Sequence, residues 1–368
     1  MIKKPFEALV GNERAKTILS ANVDHCVSKI QPFPHTIMTG GPGLGKTSFA
    51  RAVAQCLHHS TFIEIDGLIK SKDLVTRLLM ACSSERPVIV FWDEIHAIDF
   101  NSAVIMLPVM QSRKMIVGSG SASVTITMPM LTVIGATTNP EKLPEPLRER
   151  FVLKVEFEEY RDKEIAIILK RYLQCSVTKV ALAMLVDRSA GTPRRAIGLA
   201  SNVNALRNIG RRNSLHGDIG RLDVKELNSI FDLLRIYPGG LLTNEIKYLN
   251  ALSEDKPKSL RQVAASLHLG DEAVALTIEP LLFRKKLVEV TARGRVITKA
   301  GVKYLTNFKT GLVSFVAVML SSYSSWLLIL VKYLTPAFVI TLPLAVTSTN
   351  FFLNKSGSMV NATASSPR

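Results

Sequence analysis

Cysteine is scarce in this chain: Cys26, Cys56, Cys82 and Cys175 are spread over 368 residues, and no two form a C-x-x-C pair. That scatter argues against a zinc site or a disulfide framework and for a reducing, cytoplasmic setting. The first residues, Met1-Ile2-Lys3-Lys4-Pro5-Phe6-Glu7, contain no apolar signal-peptide core. No repeat of fixed period runs through the sequence, which removes solenoid and propeller architectures. Acidic residues are wholly missing from Thr310 to Arg368, where Lys332, Lys355 and Arg368 are the basic ones.

That acid-free tail holds two largely apolar stretches, Gly311 to Val331 and Leu334 to Leu353, each long enough to cross a bilayer. Ser321 to Ser325 interrupts the first, and Pro336 and Pro343 the second. Two readings stand: a membrane hairpin tethering the rest of the chain, and an extension unrelated to it. A contribution to a folded core is disfavoured, because neither stretch has polar periodicity.

What is present is positive charge. Lys and Arg total 46 against 30 Asp and Glu, a formal net charge of +16. Removing the three tail cations leaves 43 − 30 = +13 on residues 1–309, so the basic character belongs there. An excess of this size suits a polyanionic partner, although basic surfaces often serve only solubility.

The chain is organised around Gly40-Gly41-Pro42-Gly43-Leu44-Gly45-Lys46-Thr47, followed by Ser48, which fits G-x-x-x-x-G-K-[ST]. Gly43 and Gly45 let backbone N–H groups close around phosphates where a Cβ would obstruct them. Lys46 supplies a point charge for the β- and γ-phosphates, and the Thr47 hydroxyl can hold Mg²⁺. His35 to Thr39 reads as a strand and Ser48 to Leu57 as a helix whose positive end faces the phosphates. The alternative, an ordinary glycine-rich turn, accounts for neither the full match nor its flanks.

Phe62 to Ile65, Pro87 to Trp92 and Leu131 to Ala136 read as further strands, and Lys72 to Cys82 as a helix. The apolar runs are those of buried parallel strands covered on both faces. Met115 to Met128 has hairpin character around Gly118-Ser119-Gly120. After Glu156 strand signals stop. Arg161 to Tyr172, Val177 to Arg188 and Pro193 to Asn208 form three helices, and Gly210 to Asp218 a basic loop. Asp223 to Leu234 is helical, Tyr237 to Gly240 a turn, and Leu241 to Arg295 outlines a winged helix. The division is 1–156, an α/β phosphate-loop domain; 157–222, a small helical domain; 223–309, a winged-helix domain; and 310–368, the apolar tail.

Asp93-Glu94 ends the strand at Trp92, placing Asp93 to hold Mg²⁺ through water and Glu94 to polarise an attacking water. Thr138 ends the following strand, where a hydroxyl can orient water near the γ-phosphate. Pro146 to Phe151 sets Arg148 and Arg150 at a domain edge, with Glu149 an available salt-bridge partner. Gly191-Thr192-Pro193-Arg194-Arg195 opens a helix. Lys285, Lys286, Arg293 and Arg295 gather near the C-terminal turn; a solvated face is one reading, phosphate contact with DNA the favoured one.

Gly40–Ser48, Asp93-Glu94-Ile95-His96, Ile134–Thr138, Pro146–Phe151 and Gly191–Arg194 resemble, in order and spacing, the AAA+ ATPases. Glu279-Pro280 and Arg293–Thr298 extend the likeness to the RuvB type, the motor of Holliday-junction branch migration, over about residues 5–305. The resemblance implies an AAA+ parallel-sheet domain with helical lid and winged helix, ATP as substrate with Mg²⁺, and a homo-oligomeric, hexameric ring. Duplex or four-way-junction DNA and a junction-recognition protein are the implied partners. By the same resemblance, Lys46, Thr47 and Ser48 bind phosphate and metal, Asp93 and Glu94 are the metal and catalytic acids, and Thr138 is the first sensor. Arg150 is the finger acting on a neighbour's ATP, Arg194 the second sensor, Tyr160 a nucleotide contact, and Arg295, beside Arg293, a DNA contact.

Departures from the family pattern are Gly41 for a proline, Gln111-Ser112-Arg113 for an acidic pair plus aromatic, and Val290 for a second wing arginine. A clamp-loader-like remodeller and a nucleotide-switched DNA-binding module remain the alternatives at this level.

Overall fold

The structure, a computed structural model, describes residues 4–57, 60–82, 86–118, 123–212, 220–253 and 256–308. Both apolar tail stretches lie outside the described residues. Within the described residues no helix is long and apolar enough to cross a membrane.

The N-terminal part begins with helices α1 (Lys4–Glu7) and α2 (Glu13–Lys29) and then alternates strands with helices. In order these are β1 (Thr36–Thr39), α3 (Lys46–Cys56), β2 (Thr61–Asp66), α4 (Ser71–Cys82), β3 (Val88–Asp93) and α5 (Phe100–Ser112). The hairpin strands β4 (Lys114–Val117) and β5 (Val124–Thr127) follow, then β6 (Leu131–Thr137), the short α6 (Glu145–Arg148) and β7 (Leu153–Glu156). The main sheet runs β2-β3-β6-β1-β7, every pairing parallel.

Residue types explain the order of the strands. All seven residues of β6, and Val88 to Trp92 of β3, are buried, as central strands covered on both faces require. Their alternation divides the interior in two. Met38, Ile89, Phe91, Ile134 and Ala136 pack with Phe49 and Val53 of α3 on one side. Ile37, Val88, Val90, Trp92 and Val133 pack with Leu74, Leu78 and Met106 on the other. The fifth strand, β7, has no counterpart in the sequence reading. It is four residues long at the sheet edge, and only Val155 of Leu153-Lys154-Val155-Glu156 is fully buried. A strand so short and half charged gives almost no apolar run to read.

Between β1 and α3 the backbone turns through left-handed conformations at Gly40 (φ 142°), Gly43 (φ 75°) and Gly45 (φ 95°). At Gly40 space is the sharper constraint. A Cβ there would lie 2.7 Å from the carbonyl oxygen of Phe157, whose amide donates to Thr39 O at 2.8 Å. Gly40→Ala is therefore expected to destabilise the fold by about 1–3 kcal/mol, through a strained φ and a displaced β7 edge. Urea unfolding of variant and parent checks this; an unchanged midpoint would contradict it.

The helical part comprises α7 (Asp162–Tyr172), α8 (Lys179–Arg188), α9 (Pro193–Arg212) and α10 (Val224–Leu234). Thr178 and Asp223 cap α8 and α10 by accepting from the amides of Ala181 and Glu226. Helix α9 continues to Arg212, which corrects the expected loop start at Gly210; the remainder of that loop, from 213, lies outside the described residues. Glycine inside a helix costs only about 1 kcal/mol, too little to end α9 against its packed face. Leu227, Ile230 and Phe231 of α10 join the same buried cluster as Ile165, Leu169, Ala196 and Val203.

A single turn of 3₁₀ helix, Pro238–Gly240, leads to α11 (Thr243–Ala251), α12 (Leu260–Leu267), α13 (Asp271–Ala273), a π-helical turn (Val274–Ile278) and α14 (Glu279–Arg284). By contacts the chain divides into two compact units, Met1–Tyr248 with Leu260–Leu282, and Leu249–Ser259 with the chain from Phe283 on. In the second unit β8 (Val288–Thr291) and β9 (Gly294–Ile297) form an antiparallel hairpin. Lys258 adds to its edge, exchanging backbone hydrogen bonds with Arg295 at 2.8 and 3.0 Å. Gly294 (φ 130°) makes that approach possible, because a Cβ would sit 2.6 Å from Lys258 O. A helix over 299–308 closes the described chain.

Candidate active site

The phosphate-loop residues Pro42 to Ser48 line a cavity of about 220 Å³ together with Asp93, Glu94, Pro193, Arg194 and Ile197. Three separate segments thus meet there: the β1–α3 loop, the end of β3 and the first turn of α9. The approach is close, since a Cβ on Gly43 would lie 3.2 Å from Arg194 Cβ.

Lys46 is buried, with Nζ donating to the carbonyls of Gly40 (2.7 Å) and Gly41 (2.9 Å). Burial lowers its pKa, an effect that Glu94 and Asp93 oppose and Arg194 reinforces. The Asp93 carboxyl is pushed above the usual carboxylate range, first by burial and then by the neighbouring Glu94. A cation placed between the Thr47 hydroxyl and Asp93 would relieve that like-charge crowding. The donor set, one hydroxyl and one carboxylate, fits Mg²⁺, which keeps several waters and shares phosphate oxygens. No cluster of three or more His, Cys, Asp or Glu suited to a metal occurs among the described residues.

Glu94 occupies left-handed backbone space (φ 46°, ψ 45°), uncommon for a non-glycine residue and a frequent mark of functional strain. Its Oε2 accepts from Thr138 Oγ1 at 3.3 Å and Thr138 N at 3.4 Å, and lies 3.2 Å from His96 Nδ1. His96 Nδ1 is also 2.9 Å from Thr137 Oγ1. The carboxylate is therefore held at the strand ends rather than free to sweep the cavity. Tyr160 reaches the loop from the other side, its hydroxyl donating to Leu44 O at 3.2 Å. Its phenol is buried, and a Cβ on Gly11 would collide with its ring at 2.7 Å.

Arg150 is elsewhere. It does not line the cavity, and its Nη2 donates to Gln111 Oε1 at 3.1 Å while Nε is buried without a partner. Glu149, the available salt-bridge partner, takes up neither arginine. Arg148 pairs with Glu145 at 3.1 Å and Arg150 takes the carboxamide of Gln111, because α6 directs the i, i+3 neighbour toward Arg148.

In the second unit Arg293 lies exposed at the hairpin turn and Arg295 half-buried on β9, and Lys286 is exposed at φ 54° beside Lys285. None of these four cations lines the cavity.

Two family models match the sequence. One is described as the Holliday junction DNA helicase RuvB P-loop domain, over residues 2–157, and the other as the RuvB C-terminal winged helix domain, over residues 238–306. The Holliday junction branch migration complex subunit RuvB of Mycoplasmopsis pulmonis is 30% identical over 313 residues, covering 82% of this chain and 96% of that protein. The chain belongs to the RuvB family. The RuvB subunit of Rickettsia africae is likewise 30% identical, with coverage of 82% and 88%. A solved structure titled as the Thermotoga maritima RuvB Holliday junction branch migration motor superposes with a TM-score of 0.70 at 27% identity, covering 83% of this chain and 99% of that one.

Membership of the RuvB family carries the fold class expected from the sequence: an AAA+ parallel sheet, helices and a winged helix, with a nucleotide-binding phosphate loop. Among the site residues expected from the sequence, Gly43, Gly45, Lys46, Thr47, Ser48, Asp93, Glu94 and Arg194 meet at the cavity. Thr138 and Tyr160 abut it through Glu94 and Leu44, while Arg150 and the four hairpin-region cations are not among its lining residues. Sequence reasoning missed His96 as a neighbour of Glu94 and Gln111 as the partner of Arg150. Gln111 was visible only as a departure from the RuvB pattern, with nothing to say what it touches.

Proposed function

We propose that this chain is an ATP-driven motor subunit that moves DNA and drives branch migration of Holliday junctions. The observation that carries this is the meeting of the phosphate loop, Asp93-Glu94 and Arg194 around one cavity in a chain of the RuvB family. In this reading ATP lies along Gly43 to Ser48, with Lys46 turning from the Gly40 and Gly41 carbonyls to the phosphates. Thr47 and Asp93 would hold Mg²⁺, which would supply positive charge to the phosphate oxygens. Glu94 orients and deprotonates the attacking water once it leaves Thr138 and His96, and Thr138 then faces the γ-phosphate. Arg194 answers to nucleotide from the first turn of α9, and Tyr160 fixes the loop against the base side.

Arg150 acts in trans in a homo-oligomeric, hexameric ring. Its absence from the lining of its own cavity and its neutral tether to Gln111 support that role. Lys285, Lys286, Arg293 and Arg295 contact phosphates of duplex or four-way-junction DNA, and a junction-recognition protein is a partner of the ring. The working parts follow the division 1–156, 157–222 and 223–309, with 310–368 as an appendage, and the site of action is the cytoplasm.

The test is ATP hydrolysis by the full chain without DNA, with linear duplex and with a four-way junction. DNA is expected to stimulate hydrolysis, and R293A with R295A to lower that stimulation and flatten its dependence on salt. Hydrolysis indifferent to both DNAs would contradict the reading.

A further inference from the structure

Arg195 follows Arg194 at the start of α9, yet it faces the opposite way. While Arg194 lines the nucleotide cavity, Arg195 Nη1 donates to Gly240 O at 2.9 Å, and its Nη2 lies 3.6 Å from Glu245 Oε1. Glu245 is buried, and its other oxygen accepts from Leu242 N at 3.1 Å. A buried carboxylate needs such partners, because left alone it would pay the full cost of desolvation.

The turn that Arg195 grips is clasped from α8 as well. Asp187 Oδ2 accepts from Gly239 N at 2.6 Å and lies 3.5 Å from Arg188 Nη1. Gly240 (φ 74°) presses so close to Arg188 O that a Cβ would stand 2.6 Å from it. Pro238–Gly240 and the start of α11 open the segment matched by the winged-helix model, 238–306. Adjacent arginines on one helical turn therefore join the cavity wall to the leading end of that segment. A rigid turn transmits displacement where a flexible linker would dissipate it.

We infer that Arg195 is a positioning residue that ties residues 238–246 to the nucleotide-facing turn of α9, so that nucleotide at Arg194 changes the order of this segment. This rests on the reading of Arg194 as a nucleotide contact. Arg195 itself does not line the nucleotide cavity. The Gly240 carbonyl accepts a hydrogen bond from its planar guanidinium while Glu245 pairs with its charge, an arrangement a lysine would serve less well.

Amide hydrogen exchange on the full chain, with and without ATPγS and with no DNA present, tests the tie. In the parent protein ATPγS is expected to slow exchange across 238–248. R195A and E245Q are expected to lose that response while keeping ATPγS affinity and DNA-independent hydrolysis, and R195K to give an intermediate response. A purely structural role would raise exchange in the variants yet leave the nucleotide response in place. Exchange indifferent to ATPγS in the parent, or equally responsive in R195A and E245Q, overturns the inference. Should R195A fail to fold, E245Q alone decides. Because no DNA enters this experiment, a failure of DNA to stimulate hydrolysis would strike the motor reading and leave the tie standing.

Discussion

Glu94→Gln is expected to lower ATP turnover by about 10²–10⁴-fold while leaving ATP affinity nearly unchanged. Glutamine keeps the size and the acceptor oxygen that Thr138 Oγ1 now meets at 3.3 Å, so the strand ends need not rearrange. It cannot take a proton from water, and the loss therefore falls on the chemical step alone. Single-turnover hydrolysis beside equilibrium binding of a fluorescent ATP analogue separates the two effects. Turnover within a few-fold of the parent would remove Glu94 from its role. His96 sharpens the expectation: it sits 3.2 Å from the same Oε2, so the carboxylate of the parent starts from a held position and must be released.

Arg150→Ala is expected to cost about 10³–10⁵-fold in turnover if it completes a neighbour's site, the range that arginine fingers supply. The geometry sets a more searching test than the loss itself. Arg150 is held by Gln111 at 3.1 Å, with its Nε buried and unpartnered, and it stands outside its own cavity. A subunit lacking Arg150 retains an intact cavity, and a subunit lacking the Glu94 carboxylate retains an intact finger. Equal mixing of R150A and E94Q subunits should therefore restore turnover that neither variant shows alone. No recovery on mixing, in rings shown to contain both, would place Arg150 outside the neighbouring site. Gln111→Glu should lower turnover without altering ATP affinity, because a charge-assisted bond grips the guanidinium more firmly than a carboxamide does.

Much of this was legible in the sequence because each feature has a local cause. The apolar runs at Val88 to Trp92 and Leu131 to Ala136 are central strands since only buried parallel strands tolerate such sequences. The phosphate loop declares itself through glycines that the backbone needs at positive φ. What stayed hidden depends on neighbours far along the chain. Strand β7 is short, at an edge and half charged, and gains its place by pairing with β1. Gln111 meets Arg150 across 39 positions, and Arg195 meets Gly240 across 45. Spacing rules reach three or four residues along a helix and two along a strand, so contacts at such distances leave no periodic trace.

Motifs alone also left a clamp-loader-like remodeller open, since any AAA+ ATPase shares the loop, the acids and the arginines. The measurement that bears most directly on the motor is dissociation of a synthetic four-way junction by the full chain, in ATP and in ATPγS. The account predicts separation into duplex products with ATP, none with ATPγS, and none with E94Q under either nucleotide. Junctions left intact while ATP is hydrolysed at an undiminished rate would contradict it.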